Sequence, residues 1–235
     1  MSKKIHIIAR FHRWRLKNMS ERGFITVLSI LVGMFSGMAA VVIKNSIRLT
    51  HRLVDLFISG EVHNYIYFAL PLIGITLAVL TIKYIIRHPV RHGIPNVLHS
   101  ISKRKGNVSS HNLYSSIITS SLTVGFGGSV GLEGPTVATG AAWGSWLAKY
   151  FRLNYKNTIL MLACASAGAM AAIFKAPIAA IVFAVEVIMI DLTVFSLVPL
   201  LLSSATAVVI SYLFLGQNVL YPFDVKQVFE LADVP

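Results

Sequence analysis

Cysteine is almost absent: Cys164 stands alone in 235 residues, so neither an intrachain disulfide nor a cysteine metal cluster can form, and burial as a small apolar side chain is the role left to it. Acid is scarce as well, with 9 Asp and Glu against 21 Lys and Arg, a formal net charge of +12. Charged residues reach only 13% while hydrophobic ones make up 55%, and mean hydropathy is +0.71. That balance excludes a soluble globular domain and places the chain in a bilayer. There are no paired carboxylates on one helix, no histidine-rich metal set and no nucleophile beside a base; Ser129 lies in a glycine-rich stretch that accounts for it. Neither an enzyme nor a cofactor or metal requirement is expected. A nucleic-acid partner is not expected either, because the basic residues sit in short segments between apolar runs instead of covering one face.

What is present is patterned charge. Lys3, Lys4, Arg10, Arg13, Arg15, Lys17 and Arg22 precede the first long apolar run, and Lys83, Arg87, Arg91, Lys103, Arg104 and Lys105 follow the second. Asp55 and Glu61 are the acids near the loop between those runs. The positive-inside rule then predicts a cytoplasmic N-terminus and a cytoplasmic region 83–105, with 52–64 facing outward. Residues 1–22 carry charges throughout and lack a signal-peptide core. They form a basic amphipathic segment, read either as an interfacial helix on an anionic leaflet or as a frayed tail.

Hydropathy predicts spans over 24–50, 65–86 and 194–215, the first with Lys44 and Arg48 approaching an interface. Gly33 and Gly37 offer a close-packing face on the first span. Between the second and last spans the pattern breaks up. A short helix follows Arg91-His92-Gly93-Ile94-Pro95, a Ser- and Thr-rich helix covers 108–124, and further helices cover 135–150, 157–173 and 177–190. Pro and Gly mark the interruptions, and Phe174-Lys175-Ala176-Pro177 reads equally as a kink or a functional break. Irregular backbone at membrane depth survives only when buried in protein or lining a cavity, and transporters build ion sites from such discontinuous helices. Residues 217–235 are a polar segment without a further span.

The most informative break lies between Gly125 and Pro135, where Glu133 is the one carboxylate among five glycines. Glycine lets backbone N–H groups approach a small ligand closely, and a helix beginning at Gly134 or Pro135 presents unpaired donors and the positive end of its dipole. Such a site attracts an anion. Glu133 can occupy it as a carboxylate, so an inorganic anion must displace the side chain or wait for its protonation. An intramembrane Glu is a functional hypothesis by default.

At these breaks the chain resembles the CLC family of chloride channels and chloride/proton antiporters. The family signature G-[RK]-E-G-P is similar to Gly131-Leu132-Glu133-Gly134-Pro135, and G-S-G-I-P to Arg91-His92-Gly93-Ile94-Pro95. Ala171–Ile178 leading into Phe183-Ala184-Val185-Glu186 resembles a third family stretch. The resemblance implies an all-α, multi-span membrane bundle with broken and re-entrant helices, the N-terminal half of the CLC fold, over residues 23–216. It makes Glu133 the gating glutamate, and His92, Gly93, Ile94, Gly131, Gly134 and Pro135 the surroundings of the anion pathway. It further implies chloride as the transported ion, protons as a second one in the antiporters, a homodimer in the lipid bilayer, and a bacterial inner-membrane location.

Three departures shape the expectation. His92 stands where the family serine helps coordinate the anion; its imidazole either donates to chloride or packs at a helix start. Val187 stands where antiporters carry an internal proton-transfer glutamate, and valine cannot relay a proton. Glu186, about 100° around the helix, is either a proton path by another water route or a structural acid held by a buried hydrogen bond. Leu132 replaces the basic residue that ordinarily precedes the gating acid, which lowers local attraction for anions. The resemblance also covers only the first of two inverted repeats, so a complete pore requires a second. The expected function is chloride transport, channel-like or weakly proton-coupled; the alternatives are a chloride/proton antiporter and a non-conducting half-subunit that assembles with a C-terminal half.

Overall fold

The structure is a computed structural model that describes residues 20–58, 65–90, 93–188 and 194–216. Among these residues all regular structure is helical. The expected segments 1–22 and 217–235 therefore fall almost wholly outside the described residues.

Helix α1 runs over Glu21–Ile58, starting after Ser20, whose Oγ accepts a hydrogen bond from the Gly23 N–H at 3.2 Å as an N-cap. At 38 residues it is roughly 57 Å long, well beyond the 24–50 that hydropathy marks. Polar residues carry it on, with His51 and Asp55 pairing at 3.9 Å across one turn. Helix α2, Tyr65–Leu80, continues into a wider π-helical turn over Thr81–Ile86. Arg87 ends it in the left-handed region at φ 55°, its N–H donating to the Ile82 carbonyl at 2.8 Å.

Then follow α3 (Gly93–Arg104), α4 (Asn112–Gly125), α5 (Glu133–Tyr150), α6 (Tyr155–Phe174), α7 (Pro177–Val187) and α8 (Val194–Leu215). Four segments among the described residues are long and apolar enough to cross a membrane: Glu21–Leu56, Phe68–Ile86, Tyr155–Phe174 and Phe195–Leu215. The protein is a multi-pass integral membrane protein. The third of these spans is legible in the sequence only as a stretch of Ala, Gly and Ser.

Helix α6 forms the core. Every residue from Met161 to Ile173 is buried, enclosed by α1, α5 and α8. Small residues make that possible. A Cβ on Gly37 would come 2.8 Å from the Ala207 carbonyl of α8, and one on Gly140 of α5 would come 2.6 Å from the Ala165 carbonyl of α6. With backbones this close, serines bridge them: Ser203 Oγ donates to the Cys164 carbonyl at 2.7 Å and Ser211 Oγ to the Ala172 carbonyl at 2.6 Å. In lipid, dispersion and interhelical hydrogen bonds of this kind replace the hydrophobic effect as the source of association. Cys164 is fully buried, as its isolation in the sequence predicts.

Contacts at one end of the bundle fix the helix directions. Glu21 Oε1 accepts from Asn154 Nδ2 at 3.2 Å and Asn157 Nδ2 at 2.6 Å, and the Arg22 guanidinium lies 4.0 Å above the Phe195 ring. The starts of α1, α6 and α8 thus share an end, which the end of α5 joins through Phe151 against Phe24, ring centroids 5.5 Å apart. The Tyr155 hydroxyl donates to the Ile101 carbonyl at 3.4 Å, which brings the end of α3 here as well, and Arg104, Lys149, Arg152 and Lys156, on or beside these helix ends, make this the basic end.

Candidate functional site

Helices α4 and α5 form a hairpin whose connection is the glycine-rich segment. Residues 126–132 are not helical. Gly127 adopts φ 84°, a conformation that side chains disfavour, and the next N–H, that of Gly128, turns back to the Thr123 carbonyl at 2.9 Å. Helix α5 restarts at Glu133, two residues earlier than Pro135 suggests. An acid in the first turn suits the positive end of the helix dipole, and Pro135 still falls where an N–H would have no intrahelical partner. The N-cap residue, Leu132, is buried and provides no side-chain cap.

A second helix start meets this one. Gly93, the first residue of α3, lies against Gly134 so closely that a Cβ on it would overlap the Gly134 carbonyl group, whereas a Cβ on Gly134 would stand 3.8 Å from the Gly93 nitrogen. Two helices therefore abut amino end to amino end inside the bundle, and the unpaired N–H groups and dipole ends of both are brought to one place. Ile94 is half-buried and packs on the main hydrophobic core. His92 lies outside the described residues.

Glu133 is exposed, and its side chain folds back over Gly131, where a Cβ would overlap Oε2. It makes no ion pair among the described residues. The glycine at 131 thus provides the space the carboxylate occupies, and Gly131, Glu133, Gly134 and Gly93 form one continuous set. Glu186 is separate from it, exposed near the end of α7 with Val187 half-buried beside it; the buried hydrogen bond considered for Glu186 is not its setting.

Two features escaped the sequence. Thr136, in the first turn of α5, is fully buried and its hydroxyl has no hydrogen-bond partner among the described residues; an orphan buried polar group calls for an explanation such as a ligand or water. The other is a cation cluster at the end of the bundle opposite the basic end. Lys44 is buried between helices at this end and lies within electrostatic range of Arg48 and Lys175. Lys175 follows α6 in the left-handed region, donates to the Gly216 carbonyl and lies 4.4 Å from the centre of the Tyr212 ring. Burial lowers the Lys175 pKa, and the nearby Arg48 charge lowers it further. The antiparallel register that sets Gly144 against Met161 and Gly140 against Ala165 carries the start of α5 to the level of Ala172, one turn short of Lys175. The i, i+4 spacing of Lys44 and Arg48 was the visible signal.

These features define a polytopic membrane protein in which half-helices meet at their amino ends beside a carboxylate. The family model described as voltage gated chloride channel matches residues 73–235. The chain belongs to that family. It is 32% identical over 155 residues to a ClcB-like protein of Ralstonia nicotianae, covering 64% of this chain and 36% of that one. To the H(+)/Cl(-) exchange transporter ClcA of Vibrio cholerae it is 27% identical over 165 residues, covering 68% and 35%. A solved slow cyanobacterial Cl-/H+ antiporter shares the fold at a TM-score of 0.68 and 18% identity, over 92% of this chain and 52% of that one. The chain thus spans about a third of the length of these curated relatives.

Proposed function

We propose that the chain builds the first half of a chloride pathway in which Glu133 is a protonatable gate. The observation that carries this reading is the abutment of the α3 and α5 amino ends at Gly93 and Gly134 beneath the Glu133 carboxylate. Unpaired N–H groups at half-helix starts replace an anion's water without placing a full positive charge in the membrane. Binding of this strength offsets dehydration and still permits release. The Thr136 hydroxyl adds a donor in the same first turn. His92, Gly93, Ile94, Gly131, Gly134 and Pro135 surround the path, and Glu133 as a carboxylate competes with chloride until it is protonated.

Transport is channel-like or weakly proton-coupled in this reading, because Val187 cannot relay a proton and the exposed Glu186 lies on the adjoining helical position. The relatives named as exchangers favour a second reading, coupled chloride/proton antiport. The protein works as a homodimer in a bacterial inner membrane with its basic end, and the N-terminus, in the cytoplasm. The pore is completed by a second repeat; a further alternative is a non-conducting half-subunit that assembles with a C-terminal half. No cofactor is required, and the work is transport, not enzymatic catalysis.

The test is anion flux from liposomes containing the chain together with a second repeat. Glu133→Gln should remove the pH dependence and leave chloride conduction. Unchanged pH dependence would take Glu133 out of the gate. Reversal potentials under separate chloride and pH gradients distinguish the two readings: a shift with chloride alone means a channel, a shift with both means exchange.

A further inference from the structure

At the basic end, away from the glycine site, a cavity of ≈ 560 Å³ opens between the residues that follow α2, the end of α3 and the start of α4. Its polar lining includes His88, Arg104, Ser109, Ser110, His111 and Tyr114. The two histidine rings stack with centroids 5.2 Å apart and planes 18° from parallel. Arg104 Nη1 donates to Ser109 Oγ at 3.3 Å, which anchors the guanidinium at the rim and leaves the Ser109 O–H to donate. His111 Nδ1 lies 3.4 Å from Ser115 Oγ, so Nε2 is the ring nitrogen open to a ligand.

No acid among the described residues balances these groups. From Lys83 to Leu132 the sequence contains no Asp or Glu, and none of the four acids among the described residues, Glu21, Asp55, Glu133 and Glu186, lines the cavity. The stacked pair is itself frustrated: burial lowers the His111 pKa and the proximity of His88 lowers it further. A bound anion relieves both effects. Helix α4 also begins here, with its positive dipole end toward the same place. Such a lining repels cations and favours an anion over a neutral ligand. A tetrahedral oxyanion gains a fixed guanidinium, hydroxyl donors and imidazole N–H groups.

We infer that this cavity binds a phosphate group, presented either by an anionic lipid headgroup or by a soluble phosphate. The volume lies within the range of small-ligand sites, and basic pockets at the cytoplasmic ends of membrane helices suit phospholipid headgroups. Half-exposed Tyr114 on α4 gives the site an apolar flank, the setting in which an acyl glycerol ester would lie.

Two arms separate the sources. In the first, the full chain is purified in detergent containing equimolar phosphatidylglycerol and phosphatidylcholine, and retained lipid is read by native mass spectrometry. In the second, the chain in phosphatidylcholine nanodiscs is melted with and without millimolar inorganic phosphate. Preferential retention of phosphatidylglycerol assigns the site to a headgroup, and an upward shift in melting assigns it to a soluble phosphate. In whichever arm responds, Arg104→Gln, His88→Gln and His111→Gln should each weaken binding about tenfold, while Lys103→Gln, an exposed neighbour on α3 outside the lining, leaves it unchanged. No response in either arm overturns the inference. So does an equal loss in Lys103→Gln, which would mean diffuse surface charge.

Discussion

Gly93 and Gly134 touch through their backbones, yet only one of them is bound to be glycine by that contact: a Cβ fits on Gly134 and not on Gly93. The α3 start is wedged under the α5 start, so the two positions are unequal although the motifs look equivalent in sequence. Gly93→Ala should destabilise the bundle by about 3 kcal/mol, the upper range for overpacking against an unyielding neighbour. Gly134→Ala should cost under about 1 kcal/mol, since its contact is an ordinary van der Waals one. Denaturant melts of the two variants in the same detergent check the difference, and equal losses would contradict the wedge.

The Glu133 side chain lies over Gly131, which ties the proposed gate to a residue that carries no charge. Gly131→Ala should push the carboxylate off its resting place and raise chloride flux at neutral pH severalfold, on the order of the change made by Glu133→Gln. Liposome flux at neutral and acidic pH measures it. An unchanged neutral-pH flux would show that the resting position does not occlude the path.

Leu132 stands where the family resemblance implies a basic residue before Glu133, the proposed gate, and Lys44, Arg48 and Lys175 gather at the same end of the bundle. If Glu133 is the gate, these cations replace that charge from other helices. Lys175→Gln or Arg48→Gln should lower initial chloride uptake on the order of threefold at low ionic strength. Raising the ionic strength should shrink the deficit as the Debye length falls. A deficit independent of salt would point to structure instead of steering.

The His111 pKa lies below its ordinary value of 6.5, chiefly through burial and secondly through His88. The sign follows directly: the unfolded chain takes up protons at this site before the folded one does, so stability gained from it is fully present above pH 6.5 and declines as pH falls through the lowered value. Thermal unfolding between pH 7.5 and 5 should therefore show a slope that His111→Gln reduces. Added phosphate should reduce it too, because a bound anion holds the imidazolium in the folded state.

Much of this was legible in the residues. The break around Glu133, the short helix at Gly93 and the close-packing pairs Gly33/Gly37 and Gly140/Gly144 are properties of local composition, and glycine, proline and an isolated acid announce them. The extent of α1 was not legible: the Ser20 cap sets its start, and past residue 50, where the sequence turns polar, the His51–Asp55 pair supports a helix running to Ile58. Lys44 illustrates the other limit. A lysine at the end of an apolar run reads as interfacial, and its burial there depends on helices far along the chain, which the local sequence does not show. Thr136 gave no signal, because an unpartnered hydroxyl is a property of the assembled interior.

The widened turn at Thr81–Ile86, which closes α2, accommodates one residue more per turn than an α-helical end would. Deleting a single position there would tighten the coil and swing everything downstream by about 100°, taking His88 out of register with His111 while the apolar length of α2 hardly changes. Spacing between two histidines on different segments is thus recorded in the widened last turn of a span, where neither hydropathy nor motif comparison would look for it.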